Sequence, residues 1–178
     1  MGEQQRFREA IESDHLDLVR DLLQENRSLQ DEVRPGGYTA LQHAARYGKV
    51  RIAQLLLQRG SNIGSVNPSG SALHAAWIGG HADMVQFLLS NSRCEEDVNS
   101  KNPCGKAPLL LIDLVGRDVT IDAQLAVLGR MLSDSRVFAN SKDCDGRTLL
   151  SLIAARGSSD KAQVAKMSPA TDGIVPQR

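Results

Sequence analysis

Apolar positions along the chain fall into a frame that recurs five times. Phe7, Ala10 and Asp14; Leu41, Ala44 and Gly48; Leu73, Ala76 and Gly80; Leu109, Ile112 and Gly116; and Leu150, Ile153 and Gly157 all share it. The leading residues are 34, 32, 36 and 41 apart. A period of this length predicts a stack of like helical units in place of one closed core. In the clearest unit, residues 39–48 read as a short helix with Leu41, Ala44 and Ala45 on one face, stopped by Gly48. Residues 50–58 read as a second helix carrying Ile52, Leu55, Leu56 and Leu57. Gly60 ends it, because glycine adopts a positive φ cheaply just past a helix.

Between the helix pairs lie polar turn strings: Asn67-Pro-Ser-Gly70, Asn102-Pro-Cys-Gly105 and Asp143-Cys-Asp-Gly146. Asn99-Ser-Lys-Asn-Pro-Cys-Gly105 and Asn140-Ser-Lys-Asp-Cys-Asp-Gly146 are nearly the same string, which argues for true internal repetition. From Ser158 onward the periodicity stops and Ser, Ala, Lys, Pro and Gly dominate, so 158–178 is expected to be a disordered tail.

Composition narrows the function. Aromatic residues are only 3% of the chain, which suits helices packed through small residues better than one large core. Lys plus Arg (21) balances Asp plus Glu (21), so no net field draws the chain to nucleic acid or to an anionic membrane. Cys94, Cys104 and Cys144 are odd in number and lack metal-site spacing, which suggests free thiols in a reducing compartment. The polar N-terminus and the lack of a long apolar run point to the cytoplasm or nucleus. Met1-Gly2 resembles a myristoylation start, but Arg6 stands where Ser or Thr is wanted.

Ser71-Ala-Leu-His-Ala-Ala-Trp-Ile-Gly-Gly-His81 resembles the T-P-L-H-x-A signature of ankyrin repeats, followed by its Gly-His pair. The same frame covers Thr39, Leu41, Ala44, Ala45 and Gly48; Pro108, Leu109 and Gly116; and Thr148, Leu150, Ala154 and Gly157. The resemblance implies an all-α ankyrin-repeat solenoid of stacked hairpin-helix-turn-helix units over residues 1–157. Its units would be an N-terminal cap at 3–35, repeats at 36–68 and 69–104, an enlarged repeat at 105–145 and a partial repeat at 146–157. Against the family's 33-residue unit, one residue is missing before Gly70. Additions fall near Ser92–Asp97 and between Gly116 and Leu132, the latter suggesting a lengthened second helix or an extra turn.

The resemblance also assigns roles. His74 and His81 occupy the family's histidine places, where they brace turns. His15, His43, His74 and His81 show no metal-ligand spacing. Asn99 and Asn140 stand where ankyrin hairpins often carry Asn, a residue that supports its own turn and in some members is hydroxylated. No nucleophile elbow, phosphate loop or dinucleotide fingerprint occurs, so no enzyme activity, cofactor or metal is expected.

By the family frame, the residues before each first-helix Gly face the concave side: Arg46 and Tyr47, Ile78 and Gly79, Leu114 and Val115, and Ala155 and Arg156. Trp77 stands beside this row, either within the helix packing or emerging toward the groove. Tyr38, Lys106 and Arg147 lie at hairpin tips in a mostly basic rim, which gives a weak preference for an acidic surface. The expected partner-binding set is therefore Tyr38, Arg46, Tyr47, Trp77, Ile78, Lys106, Leu114, Val115 and Arg147. The expected function is a monomeric scaffold or adaptor that binds a protein partner. The alternatives are a stoichiometric inhibitor of a kinase or transcription factor, and the N-terminal ankyrin domain of a larger enzyme or channel.

Overall fold

The computed structural model describes residues 2–31, 37–68, 70–91, 98–113 and 119–155. Eight α-helices lie among them: α1 (Glu3–Glu12), α2 (Leu16–Glu25), α3 (Ala40–Arg46), α4 (Val50–Gln58), α5 (Ala72–Gly79), α6 (Ala82–Ser90), α7 (Ile121–Leu132) and α8 (Leu149–Ala155). Short 3-10 segments cover Arg27–Gln30 and Pro108–Asp113. Each early unit is a helix pair, α1 with α2, α3 with α4 and α5 with α6.

Neighbouring units then stack in two layers. The inner layer runs α1, α3, α5, the 108–113 segment and α8, and the outer layer runs α2, α4, α6 and α7. Between the layers a continuous core includes Phe7, Leu23, Leu41, Ile52, Leu56, Leu73, Met84, Leu88 and Leu109. Every such residue comes from the apolar stripe of its helix, because an amphipathic helix this short is stabilised by burial of that stripe more than by intrinsic propensity.

Local chemistry sets the helix ends. Thr39 caps α3 reciprocally with Gln42, and Ser71 caps α5 reciprocally with His74. Each pair satisfies otherwise orphaned amides of the first turn. The inner-to-outer turns use left-handed residues: Gly48 at φ 67°, Gly80 at φ 73° and, in the first unit, Asp14 at φ 60°. Asp14 thus takes the conformation that glycine takes in the later units.

The fourth unit departs from its predecessors. Its inner segment, Pro108–Asp113, winds as a 3-10 helix in place of the α-helix predicted by the frame. Ala107 stands where Thr39 and Ser71 cap, and Leu110 stands where Gln42 and His74 reach back. Neither side chain can accept a hydrogen bond, so the first turn lacks the reciprocal cap and closes with the tighter Leu110-to-Ala107 backbone bond, 2.9 Å. The outer helix α7 has 12 residues against 9 for α4 and α6, the lengthening read from the sequence.

The last unit corrects one expectation. Leu149, Leu152 and Ile153 are buried, whereas Leu150, the leading position of the frame, is 63% exposed. The helix α8 packs on the 108–113 segment, and no outer helix of its own unit follows among the described residues. The proposed insertion at 92–97 and the tail at 158–178 lie outside the described residues.

Candidate partner-binding surface

Buried polar bonds hold the hairpins in register. His74 Nδ1 accepts from the Ser71 amide at 3.0 Å and meets the Ser71 hydroxyl at 2.8 Å. An Nδ1 that accepts from an amide requires the proton on Nε2, and Nε2 donates to the main-chain oxygen of Lys106 at 3.0 Å. Burial pushes the His74 pKa down, while the bond to Lys106 works against that shift.

One unit earlier, Gln42 does the same work with an amide. Its Oε1 accepts from Thr39 N at 2.9 Å and from the Asn67 side chain, and its Nε2 donates to Ser65 O and Gly70 O, each at 2.8 Å. The repeat signature singles out His74 and passes over Gln42. A signal is nonetheless present, since Gln42 stands three residues after the cap Thr39 as His74 stands three after Ser71.

His81 fills the space between turns. A Cβ on Gly48 or Gly79 would come within 2.6 Å of its ring, so both must be glycine for the imidazole to sit there. Burial lowers the His81 pKa; its bond to the Arg46 carbonyl opposes this, and the charges of Arg46 and Lys49 add to the lowering. Among the described residues no group of three or more His, Cys, Asp or Glu is placed to hold a metal.

On the inner face, one cluster remains accessible. The His43 ring lies 4.9 Å from that of Tyr47, tilted by 58°, and 6.5 Å from that of Tyr38. His43 Nε2 is 3.0 Å from Glu12 Oε1, and Arg8 Nε approaches the same carboxylate at 3.7 Å. Tyr47 is 43% exposed, Arg46 and Ile78 are half-buried, and Tyr38 is partly covered. The first two units therefore converge on an aromatic surface edged by Arg8, Glu12 and Arg46.

Two predicted contact residues are corrected. Trp77 is 1% exposed and lies within the core, its indole N–H without a hydrogen-bond partner. Lys106 is buried as well; its amide bonds to Asn102 Oδ1 and its carbonyl takes bonds from His74 and the Asn102 amide. Arg147 is exposed, yet its guanidinium is engaged by Asp143 at 3.0 Å and Asp145 at 2.6 Å. Leu114, Val115 and Arg156 lie outside the described residues.

A family model of ankyrin repeats, in three copies, matches residues 7–112, and the chain belongs to the ankyrin-repeat family. Ankyrin arrays are protein-interaction modules, and this chain is one by that membership. It is 33% identical over 94 residues to the Notch-regulated ankyrin repeat-containing protein of Homo sapiens, covering 51% of this chain and 82% of that protein. The Danio rerio Notch-regulated ankyrin repeat-containing protein A matches at the same identity over 94 residues, 51% of this chain and 84% of its own length. A longer match, 29% identical over 150 residues, is to human Neurogenic locus notch homolog protein 2, taking in 83% of this chain and 6% of that protein. No described helix is long and apolar enough to cross a membrane.

Proposed function

We propose that the chain is an adaptor that docks a protein partner on its concave face, with Tyr47 as the anchor. The observation that carries this reading is the aromatic cluster of Tyr38, His43 and Tyr47, in which an exposed tyrosine rests on a buried, hydrogen-bonded imidazole. A ring held this way loses little side-chain entropy on binding, and Tyr is among the residue types that concentrate binding energy. Arg46 beside it supplies a cation for an acidic group on the partner. Ile78 extends the apolar surface toward the next unit.

Affinity would come from the aromatic centre, and the surrounding charges would act mainly on encounter rate. The engaged state of Arg147 and the burial of Lys106 support a site centred on the inner helices of the first three units over one on the hairpin rim. A monomeric chain working in the cytoplasm or nucleus fits this role.

The test is affinity capture with the native chain and with a Tyr47→Ala, Arg46→Glu variant whose helical circular dichroism matches it. Loss of one partner protein from the variant, with that partner then bound directly by purified native chain, is the expected result. Equal capture by both chains would move the site off this face.

A further inference from the structure

The Cys144 thiol meets the Cys104 main chain at the hairpin tips that precede the fourth and fifth units. The Cys144 thiol donates to the main-chain oxygen of Cys104 at 3.0 Å, and both cysteines are exposed. A Cβ on Gly105 would fall 3.1 Å from Cys144 Cβ, so the Cys144 side chain lies over the Cys104–Gly105 peptide.

Each hairpin is braced from within. Asn102 Oδ1 accepts from the amides of Cys104 and Lys106, both at 3.0 Å. Asp143 Oδ1 accepts from the amides of Asp145 at 3.0 Å and Arg147 at 2.8 Å. Lys101 Nζ then ties the two hairpins together by donating to Lys142 O at 3.0 Å. The two cysteines thus ride on fixed turns of adjacent units, 40 residues apart in sequence.

This junction is also where the polar bridging between units changes. Gln42 bridges to Gly70 and His74 bridges to Lys106, but Leu110, next in the frame, has no side-chain donor to offer Arg147 O. A covalent link between residues 104 and 144 would supply the coupling that Leu110 cannot.

We propose that Cys104 and Cys144 form a dithiol modification site that takes a low-molecular-weight disulfide, RSSR, and closes into an inter-repeat disulfide. One cysteine thiolate attacks a sulfur of RSSR; the S–S bond breaks, a mixed disulfide forms and one RS⁻ leaves. The other thiolate then attacks the protein sulfur of that mixed disulfide and expels the second RS⁻. The two leaving thiolates take up the two protons released by the cysteines. The protein dithiol is oxidised and RSSR is reduced to two RSH. Closure needs the Cys104 side chain to turn toward the sulfur already seated on its carbonyl.

The experiment uses the full chain carrying Cys94→Ser, treated with oxidised glutathione and analysed by intact mass and tryptic mapping. The expected product has lost two hydrogens, retains no glutathione, and links peptide Asn102–Lys106 to peptide Asp143–Arg147. The same chain with Cys144→Ser should instead keep one glutathione on Cys104. Closure should be roughly tenfold or more faster in the folded chain than in denaturant, because the fold sets the effective concentration of one thiol at the other. A folded chain that retains glutathione on both cysteines, or that closes no faster than the denatured chain, would overturn the proposal.

Discussion

The imidazole of His74 donates from Nε2 to the main-chain oxygen of Lys106 across 3.0 Å, tying one hairpin to the next while its Nδ1 caps its own helix. The Nδ1 bond requires the neutral ring, whereas the Nε2 bond survives protonation. Protonation would place a donor on Nδ1 facing the Ser71 amide, which is itself a donor.

Stability should therefore fall in acid through His74 and His81. Burial holds both rings below the usual value of about 6.5. Below that pH the unfolded chain binds more protons than the folded one. The stabilisation is complete above it and is lost as pH drops through the depressed folded values. Urea midpoints measured across this window should decline. His74→Gln, which copies the amide bridge of Gln42, should flatten the decline at little neutral cost, while His74→Leu should lose about 2–3 kcal/mol at neutral pH. An unchanged acid slope in His74→Gln would remove His74 from the effect.

Gly48 and Gly60 both take left-handed backbone, at φ 67° and 96°, but only at Gly48 would a Cβ strike a neighbour, the His81 ring. Gly60→Ala should cost about 1 kcal/mol from backbone strain alone. Gly48→Ala should cost about 2–4 kcal/mol, adding displacement of His81 to the same strain. Equal losses in thermal melts would contradict the packing of His81 on Gly48.

Trp77, the sole tryptophan, should emit as a buried indole and resist acrylamide quenching until the chain unfolds. Trp77→Ala should cost about 3–5 kcal/mol from the cavity left behind. Trp77→Phe should cost distinctly less, because it removes a buried N–H that has no partner. Emission at the wavelength of solvated indole would return this side chain to the groove.

Leu150 and Leu152 stand two residues apart on α8 with opposite expected outcomes. Leu150→Lys should alter stability by no more than about 0.5 kcal/mol and reduce self-association at high concentration. Leu152→Ala should cost about 2–4 kcal/mol. Chemical denaturation of both variants, with light scattering for the first, checks the pair.

The repeat frame is legible because each unit buries the same face: Leu41, Ala44 and Gly48 are enough to place α3 and its turn, and Leu73, Ala76 and Gly80 repeat the result. The frame fails at its ends. Leu150 matches it but is exposed, and no outer helix of its unit follows among the described residues. At Pro108–Asp113 the apolar spacing is right and the helix type is wrong, since the missing caps at Ala107 and Leu110 lie outside any hydrophobic pattern. The site is less legible. Tyr47 and Arg46 can be placed by frame, whereas the pairing of His43 with Glu12 joins residues 31 apart that no local spacing connects. Trp77 stands beside the predicted contact row, and no local spacing reports that its ring is buried in the core.

The leucine at position 110 also bears on how the molecule would come apart. A stack of repeats behaves as a one-dimensional lattice, in which order spreads along the row through nearest-neighbour links and a boundary between folded and melted segments settles at the weakest of them. Gln42 and His74 link the earlier units through buried bonds, whereas past Leu110 the coupling passes to the exposed hairpin bonds of Lys101 to Lys142 O and of Cys144 to Cys104 O, so that boundary is expected ahead of α8. The described units are thus expected to melt from α8 inward, the earlier ones sharing one another's fate through their buried links.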